Sequence, residues 1–472
     1  MTMKSMINEK KLIVKEIEGD TLTPISIYQS LKGKKKFLLE SSLKHENSGR
    51  FSFIGAEPYM ELKGFGDISH IIINGSEEIV SEKPLELLKR LLPQQDIEPS
   101  ALFPFVGGAV GFAGYDAIRQ YENIGEVPED EFGLPDVHFL FFEELVVFDH
   151  LEQKVYLTAL PLKSNTTEEE LSIKLEKKRL EIVNGVRVEE AADVTLTSFK
   201  KAMSKEKFIE NVRKAKSYIE EGDIFQVVLS QRLTADIQGD PFSLYRRLRI
   251  KNPSPYMYYF DFDGYAIAGV SPESLIKVQD RLVITNPIAG TRPRGKSPEE
   301  DEVLITGLLA DEKELAEHKM LVDLGRNDLG RVSEFGSVKL TKLLSIEKYK
   351  HVIHLVSEVE GTLKPTFAAI DALTSCLPAG TVSGAPKIRA MEIINELENS
   401  KRGIYSGAIG YLSANGNMDF ALTIRTMVIK GEQAYIQAGA GIVYDSIPEK
   451  EYEETLHKLK MFLESEFDDF IN

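Results

Sequence analysis

The chain has no tryptophan and only one cysteine, Cys376, in 472 residues. A single cysteine excludes an internal disulfide and any multi-cysteine zinc site. Positive charge is scarce: 57 Lys and Arg stand against 74 Asp and Glu, a formal net charge of −17. So acidic a chain lacks the basic footprint that non-specific DNA or RNA binding needs, and no nucleic-acid partner is expected. Long hydrophobic runs are missing too. The longest uncharged stretches are Ala101–Tyr115 and Gly403–Met418. Pro104 and Gly107, Gly108, Gly111 and Gly114 interrupt the first, and an Asn415–Gly416 turn interrupts the second, so neither reads as a membrane helix. Met1–Lys15 has no apolar core of the signal-peptide kind. A cytoplasmic protein that makes no membrane contact is the expectation. Composition does not explain the missing tryptophan.

What is present is a folded chain, 42% hydrophobic and 28% charged, outside the range of disordered proteins. Its length points to more than one structural part. Residues 10–160 read as strands and turns, with apolar runs at Lys36–Glu40, Arg50–Ile54, Glu143–His150 and Lys154–Leu160. Thr166–Asn184 is rich in Glu and Lys, with Leu171, Leu175 and Leu180 at helical spacing. Residues 185–203 have weak periodicity, so 161–203 reads as a helix and linker before a second part over 204–470. Ser204 caps a helix with Phe208, Val212, Ala215 and Ile219 on one face, and Gly222 stops it. Phe225–Leu229 reads as a buried strand. Ser406–Leu412, Phe420–Ile429 and Ala434–Ala438 read as an antiparallel meander. A last helix spans about Glu449 to Phe467, with Tyr452, Leu456, Leu459 and Leu463 on one face.

Several residues carry chemistry. Glu314 with Glu317, and Glu451 with Glu454, are carboxylate pairs three apart on helices. Mg²⁺ takes oxygen ligands and needs only one or two carboxylates. The pairs fit a metal shell or a solvated helix face. Glycine-rich turns recur at Ala289-Gly290-Thr291, Pro378–Gly384 and Ala438–Gly441, where backbone N–H groups can approach an anion. None has the spacing of a Walker loop. Arg425 lies in an apolar run, where its guanidinium needs either a ligand carboxylate or solvent. His351 and His354 fit a general base or structural packing. Cys376 has the setting of a packing residue.

Four motifs follow one another: Pro287–Gly295, Glu317–Asp328, Pro378–Lys387 and Gln437–Val443. Together they resemble the chorismate-utilising enzymes, and within them the large subunits of anthranilate synthases. The similarity covers Phe208 to the C-terminus and, more weakly, residues 20–150. It implies an α/β (α+β) sandwich of antiparallel sheets flanked by helices. Roles follow from it position by position. Glu317 and Glu454 match Mg²⁺ ligands, with Glu314 and Glu451 beside them. Gly290, Thr291, Tyr405, Arg425, Gly439, Ala440 and Gly441 match chorismate contacts, and Thr381 a pocket residue. Glu273 matches a general acid for departure of the ring hydroxyl, and His354 the histidine tied to pyruvate elimination.

Two further positions discriminate within the resemblance. Position 289 is alanine, whereas aminodeoxychorismate synthases typically carry a nucleophilic lysine there. Position 226 is glutamine, whereas the water-adding relatives typically carry a lysine base. Both favour ammonia as nucleophile and anthranilate as product, over aminodeoxychorismate. Glutamine hydrolysis needs an activated cysteine that this chain lacks, so the resemblance implies a separate glutaminase subunit and a hetero-oligomer. Leu38–Ser41, Gly49–Gly55 and Asn252–Met257 resemble a feedback site for L-tryptophan. Glu40 would hold its ammonium, Ser41 and Arg50 lie alongside, and Pro255, Tyr256 and Met257 would wall the indole. The other reading of these three segments is ordinary core and turn. A non-catalytic tryptophan-binding regulator is the alternative from a different class.

Overall fold

The computed structural model describes residues 11–42, 49–92, 97, 103–185, 193–348 and 352–463. His351 and Phe467 lie outside them, as does the side chain of Thr291. Two large sheets, of 13 and 12 strands, organise these residues. The ladders between their strands are antiparallel. Each sheet mixes early and late chain. In the first, Phe37–Glu40 pairs with Tyr256–Asp261. In the second, Gly108–Ala113 pairs with Ala408–Ser413. Strands from both sides of residues 161–203 therefore hydrogen-bond within the same two sheets.

Hydrophobic patterning explains the layering. Phe37, Phe53, Tyr258 and Phe260 from the first sheet meet Phe112, Phe142, Ile409 and Tyr411 from the second in one aromatic-rich core. On its other face the first sheet packs Leu157, Leu233 and Ile436 against helix residues Leu171, Leu175 and Tyr245. The second sheet packs Phe139, Ile276 and Phe420 against Leu88, Leu329 and Leu373. The result is a sandwich of two sheets flanked by helices, as expected.

The helix caps follow local chemistry. Thr167 and Glu170 form a capping box ahead of Glu168–Val183. Ser204 Oγ accepts from the Lys207 N–H ahead of Lys205–Glu220, and Gly222, at φ +86°, ends that helix. One expected face shifts. Leu171, Leu175 and Ile182 are buried, but Leu180 is exposed. At 100° per residue, Leu180 sits about half a turn from Leu171 and cannot share its stripe.

The expected strand Phe420–Ile429 is not one strand. Met418–Leu422 belongs to the second sheet and Thr426–Lys430 to the first. The chain crosses between them at Thr423–Arg425, where Arg425 takes a left-handed φ of 48°. A continuous ladder cannot pass such a residue, so the supposed meander is two hairpins in different sheets. A second crossover, Pro272–Glu273, joins Ala266–Ser271 of the first sheet to Ser274–Gln279 of the second. The two crossovers lie side by side. The Val270 N–H donates to Arg425 O (3.1 Å) and the Leu422 N–H to Glu273 O (3.0 Å). The Ser271 hydroxyl donates to Leu422 O at 2.7 Å.

Candidate active site

The paired crossovers bring Glu273 and Arg425 together. The Thr381 hydroxyl, from the short 3-10 turn Gly380–Val382, donates to Glu273 Oε1 at 2.8 Å. Burial pushes the Glu273 carboxyl up to about 7, against the opposing pull of Thr381, Lys458 and Arg425. It is therefore an acid that keeps its proton near neutral pH. Among the described residues, the Arg425 guanidinium has no hydrogen-bond or ion-pair partner. Burial disfavours its charge and Glu273 favours it. An enclosed cation of this kind suits a ligand carboxylate.

His354 lies on strand Val352–Thr362, opposite Thr291 of Ile288–Pro293. The register shifts at Gly290, whose φ of +71° forms a bulge. Burial, and then the nearby Arg425 charge, lower the His354 pKa to about 4, with a backbone hydrogen bond at Gly290 opposing them. Its imidazole is thus neutral near pH 7 and able to take a proton.

Strand Gln433–Ile442 carries Gly439, Ala440 and Gly441 opposite Ser230, Leu229 and Val228. Space is tight there. A Cβ on Gly439 would stand 2.9 Å from Tyr405 Oη and 3.0 Å from Leu229 O. One on Gly441 would stand 2.6 Å from Gln226 Nε2. Gly439→Ala is expected to overpack this wall by about 1–3 kcal/mol and lower kcat/KM roughly tenfold or more with a native circular-dichroism spectrum. Unchanged kcat/KM would show that the wall does not bound the substrate.

The carboxylates converge from two helices, Glu312–Val332 and Pro448–Leu463. Burial, then Glu314, and more weakly Glu454 raise the Glu317 pKa, while Gln226 Nε2 donates to its Oε1 at 3.3 Å. Burial and Glu454 likewise raise Glu451, with Ser446 opposing. Glu314 itself is paired to Arg292 at 3.0 Å. Like charges crowded in this way fit a bound cation. No three His, Cys, Asp or Glu groups among the described residues are arranged to hold a metal by themselves. Mg²⁺ does not need three, because water and substrate oxygens complete its shell. Gln226 Oε1 is buried with no hydrogen-bond partner among the described residues.

Lys458 escaped the sequence reading. Its Nζ reaches Glu454 Oε1 at 2.8 Å and Gly439 O at 2.9 Å. The i, i+4 spacing of Glu454 and Lys458 was the available signal. Lys387 of the third motif pairs with Asp328 of the second at 2.8 Å, so part of each motif is structural. Burial pushes the Cys376 thiol up to about 12, which makes it inert as a nucleophile.

The residues matched to tryptophan binding also come together. Glu40, Ser41, Arg50, Pro255, Tyr256 and Met257 line one cavity of about 930 Å³. Several of them are already engaged, and the Tyr256 hydroxyl donates to Asp419 Oδ1 at 3.0 Å. Glu40 accepts from Tyr245 Oη at 2.7 Å and from Arg249 at 2.9 Å. Arg50 pairs with Asp149 at 2.6 Å. Pro272 and Ser274, on either side of Glu273, line the same cavity.

The chain belongs to the chorismate-binding enzyme family, whose model matches residues 34–464. Among its relatives, anthranilate synthase component 1 of Lactococcus lactis is 48% identical over 95% of this chain and 98% of its own length. The protein of that name from Acetivibrio thermocellus is 48% identical over 96% and 94%. The solved anthranilate synthase component I of Streptococcus pneumoniae superposes with a TM-score of 0.82 at 47% identity, covering 94% of this chain and 98% of that one. A menaquinone-specific isochorismate synthase from Escherichia coli shares the fold at a TM-score of 0.73 and 19% identity.

Proposed function

We propose that this chain converts chorismate and ammonia into anthranilate and pyruvate, the work of the large subunit of an anthranilate synthase. The observation that carries the reading is the pairing of Glu273, whose carboxyl is pushed up to about 7, with Arg425, a cation that has no hydrogen-bond or ion-pair partner among the described residues. Near-full-length relatives bearing the name anthranilate synthase component 1 support it.

The residues suggest a division of labour. Arg425 and the backbone around Gly290 and Gly439 hold and orient a substrate carboxylate. Glu273 donates its proton to the C4 hydroxyl oxygen as the C4–O bond breaks, so water rather than hydroxide leaves. Ammonia supplies the electron pair of the new C2–N bond. Gln226, an amide, cannot deprotonate water, whereas ammonia is nucleophilic without a base. The C2 ammonium gives a proton back to solvent. Neutral His354 then takes the C2 proton, and the C3–O bond breaks with its electron pair on oxygen. The released enolpyruvate takes a proton at its methylene carbon to become pyruvate, and the ring becomes aromatic. Glu317 and Glu454 would hold Mg²⁺, which when bound neutralises carboxylate charge on the substrate. Ala289 leaves no amine for a covalent intermediate, which sets aminodeoxychorismate synthesis aside.

Purified chain with chorismate, Mg²⁺ and an ammonium salt is expected to produce fluorescent anthranilate. Aminodeoxychorismate or isochorismate as the sole product would overturn the assignment. With glutamine in place of ammonium, activity should appear only when a glutaminase subunit is added.

The cavity lined by Ser41 and Met257 is read as the site where L-tryptophan restrains the enzyme. Tryptophan inhibits only if it prefers an arrangement less able to turn over. Its position against Pro272 and Ser274 provides a short route to Glu273. Ser41→Ala and Met257→Thr are expected to raise the inhibitory tryptophan concentration at least tenfold with little loss of activity. Unchanged inhibition in both would move the site elsewhere. With no tryptophan in the chain, indole emission in a titration comes from the ligand alone, and its shift from that of free tryptophan reports binding.

A further inference from the structure

Against the Thr381 turn lies an ion pair with no part in the chemistry above. Arg402 is 3% exposed and Glu398 7%. Arg402 Nε donates to Glu398 Oε2 at 2.8 Å, and NH2 to Glu398 Oε1 at 2.6 Å. The other donors end on protein groups from three segments. NH1 donates to Val382 O at 2.7 Å and Ser406 Oγ at 3.4 Å, and NH2 to Val228 O at 2.7 Å. The guanidinium also lies 4.8 Å from the Tyr115 ring centroid and 5.7 Å from that of Tyr405. Glu398 Oε1 accepts from the Ser230 N–H and hydroxyl at 2.8 and 2.9 Å. Gln437 Nε2 donates to Ser230 Oγ at 2.8 Å, which extends the network onto the strand of Gly439.

We infer that the Arg402–Glu398 pair is a positioning device that clamps the Thr381 turn onto strand Gln226–Gln238, and thereby holds Glu273 in place for proton transfer. The inference rests on the role proposed for Glu273. Val382 follows Thr381 directly, and Thr381 donates to Glu273. Val228 lies two residues from Gln226 on strand Gln226–Gln238. A rigid planar fork is the side chain that can bridge two carbonyls on separate elements while keeping its carboxylate. Stability alone does not call for such a pair, because buried ion pairs can often be exchanged for apolar groups without loss. Geometry does call for it, since about 1 Å of misplacement in a catalytic group can cost some hundredfold in rate.

Arg402→Lys tests this. A lysine keeps the charge beside Glu398 but cannot reach both carbonyls. At a temperature well below its melting point, the variant is expected to show a native spectrum, a chorismate KM within about threefold of the parent and kcat lowered about 10²-fold. A kcat within threefold, or a loss that disappears once corrected for folded fraction, would overturn the inference. Should Arg402→Lys fail to fold, Ser230→Ala takes its place. It removes one contact to Glu398, and a five- to tenfold lower kcat at constant KM is expected; unchanged kcat would refute the clamp. The parent chain and Glu273→Gln run alongside separate the readings. A parent that makes no anthranilate refutes the activity, and a fully active Glu273→Gln refutes the acid. An active parent and an inactive Glu273→Gln, with Arg402→Lys fully active, refute the clamp alone.

Discussion

Glu273→Gln is expected to lower kcat by about 10²–10⁴-fold, the range a general acid contributes, while leaving chorismate binding nearly unchanged. The amide fits the same space and can still accept from Thr381, so only the proton is lost. The pH behaviour should change with it. Burial holds the parent acid protonated up to about 7. Parent kcat/KM should therefore fall as pH rises through 7, and this limb should vanish in the variant. Stability should also fall as pH rises. The folded protein binds this proton more tightly than the unfolded chain, whose carboxyl has its ordinary value of 4.5. The carboxyl thus costs stability as pH rises through the window from 4.5 to about 7. Glu273→Gln should melt no lower than the parent at pH 8. A variant that keeps both the activity and the alkaline limb would remove Glu273 from the mechanism.

Glu317→Gln and Glu454→Gln are expected to give the second large effect. At fixed Mg²⁺, kcat/KM should fall at least about 10²-fold, and the half-saturating Mg²⁺ concentration should rise, since each substitution would remove one ligand of the proposed site, which has few. Glu317 in its metal-free setting is held against burial and the neighbouring Glu314 and Glu454 charges. Neutralising it relieves that repulsion, so Glu317→Gln should fold normally. Activity lost at low Mg²⁺ and partly regained at high Mg²⁺ is the signature to look for. An unaltered Mg²⁺ dependence in both variants would assign these carboxylates to the surface of their helices.

Legibility from sequence followed the range of the interactions. The helix cap at Ser204 and the stop at Gly222 are local, formed by residues within a turn of one another. The strands at Phe37–Glu40, Phe51–Gly55 and Lys154–Ala159 were likewise visible as apolar runs. Motif order pointed to the family, and Ala289 and Gln226 narrowed its chemistry through the side-chain types alone. The gap at tryptophan was visible at once. It became useful only beside the cavity proposed to bind tryptophan.

Sheet membership was not legible. Phe420–Ile429 has the pattern of one strand, and periodicity has no signal for a chain that leaves one sheet and enters another at a left-handed arginine. That crossover decides where Arg425 sits, and its neighbour decides where Glu273 sits. The same limit hid the Arg249 that occupies Glu40, and the Arg402 that joins Val382 to Val228. By itself, then, the sequence determined the residue types of the chemistry, the local elements that carry them and the family. The tertiary structure alone decided which carboxyl is pushed up towards neutral pH, which cation has no partner among the described residues and which ion pair is set beside them. Charge and burial at a site are set by groups far apart along the chain, which only the fold brings within a few ångströms.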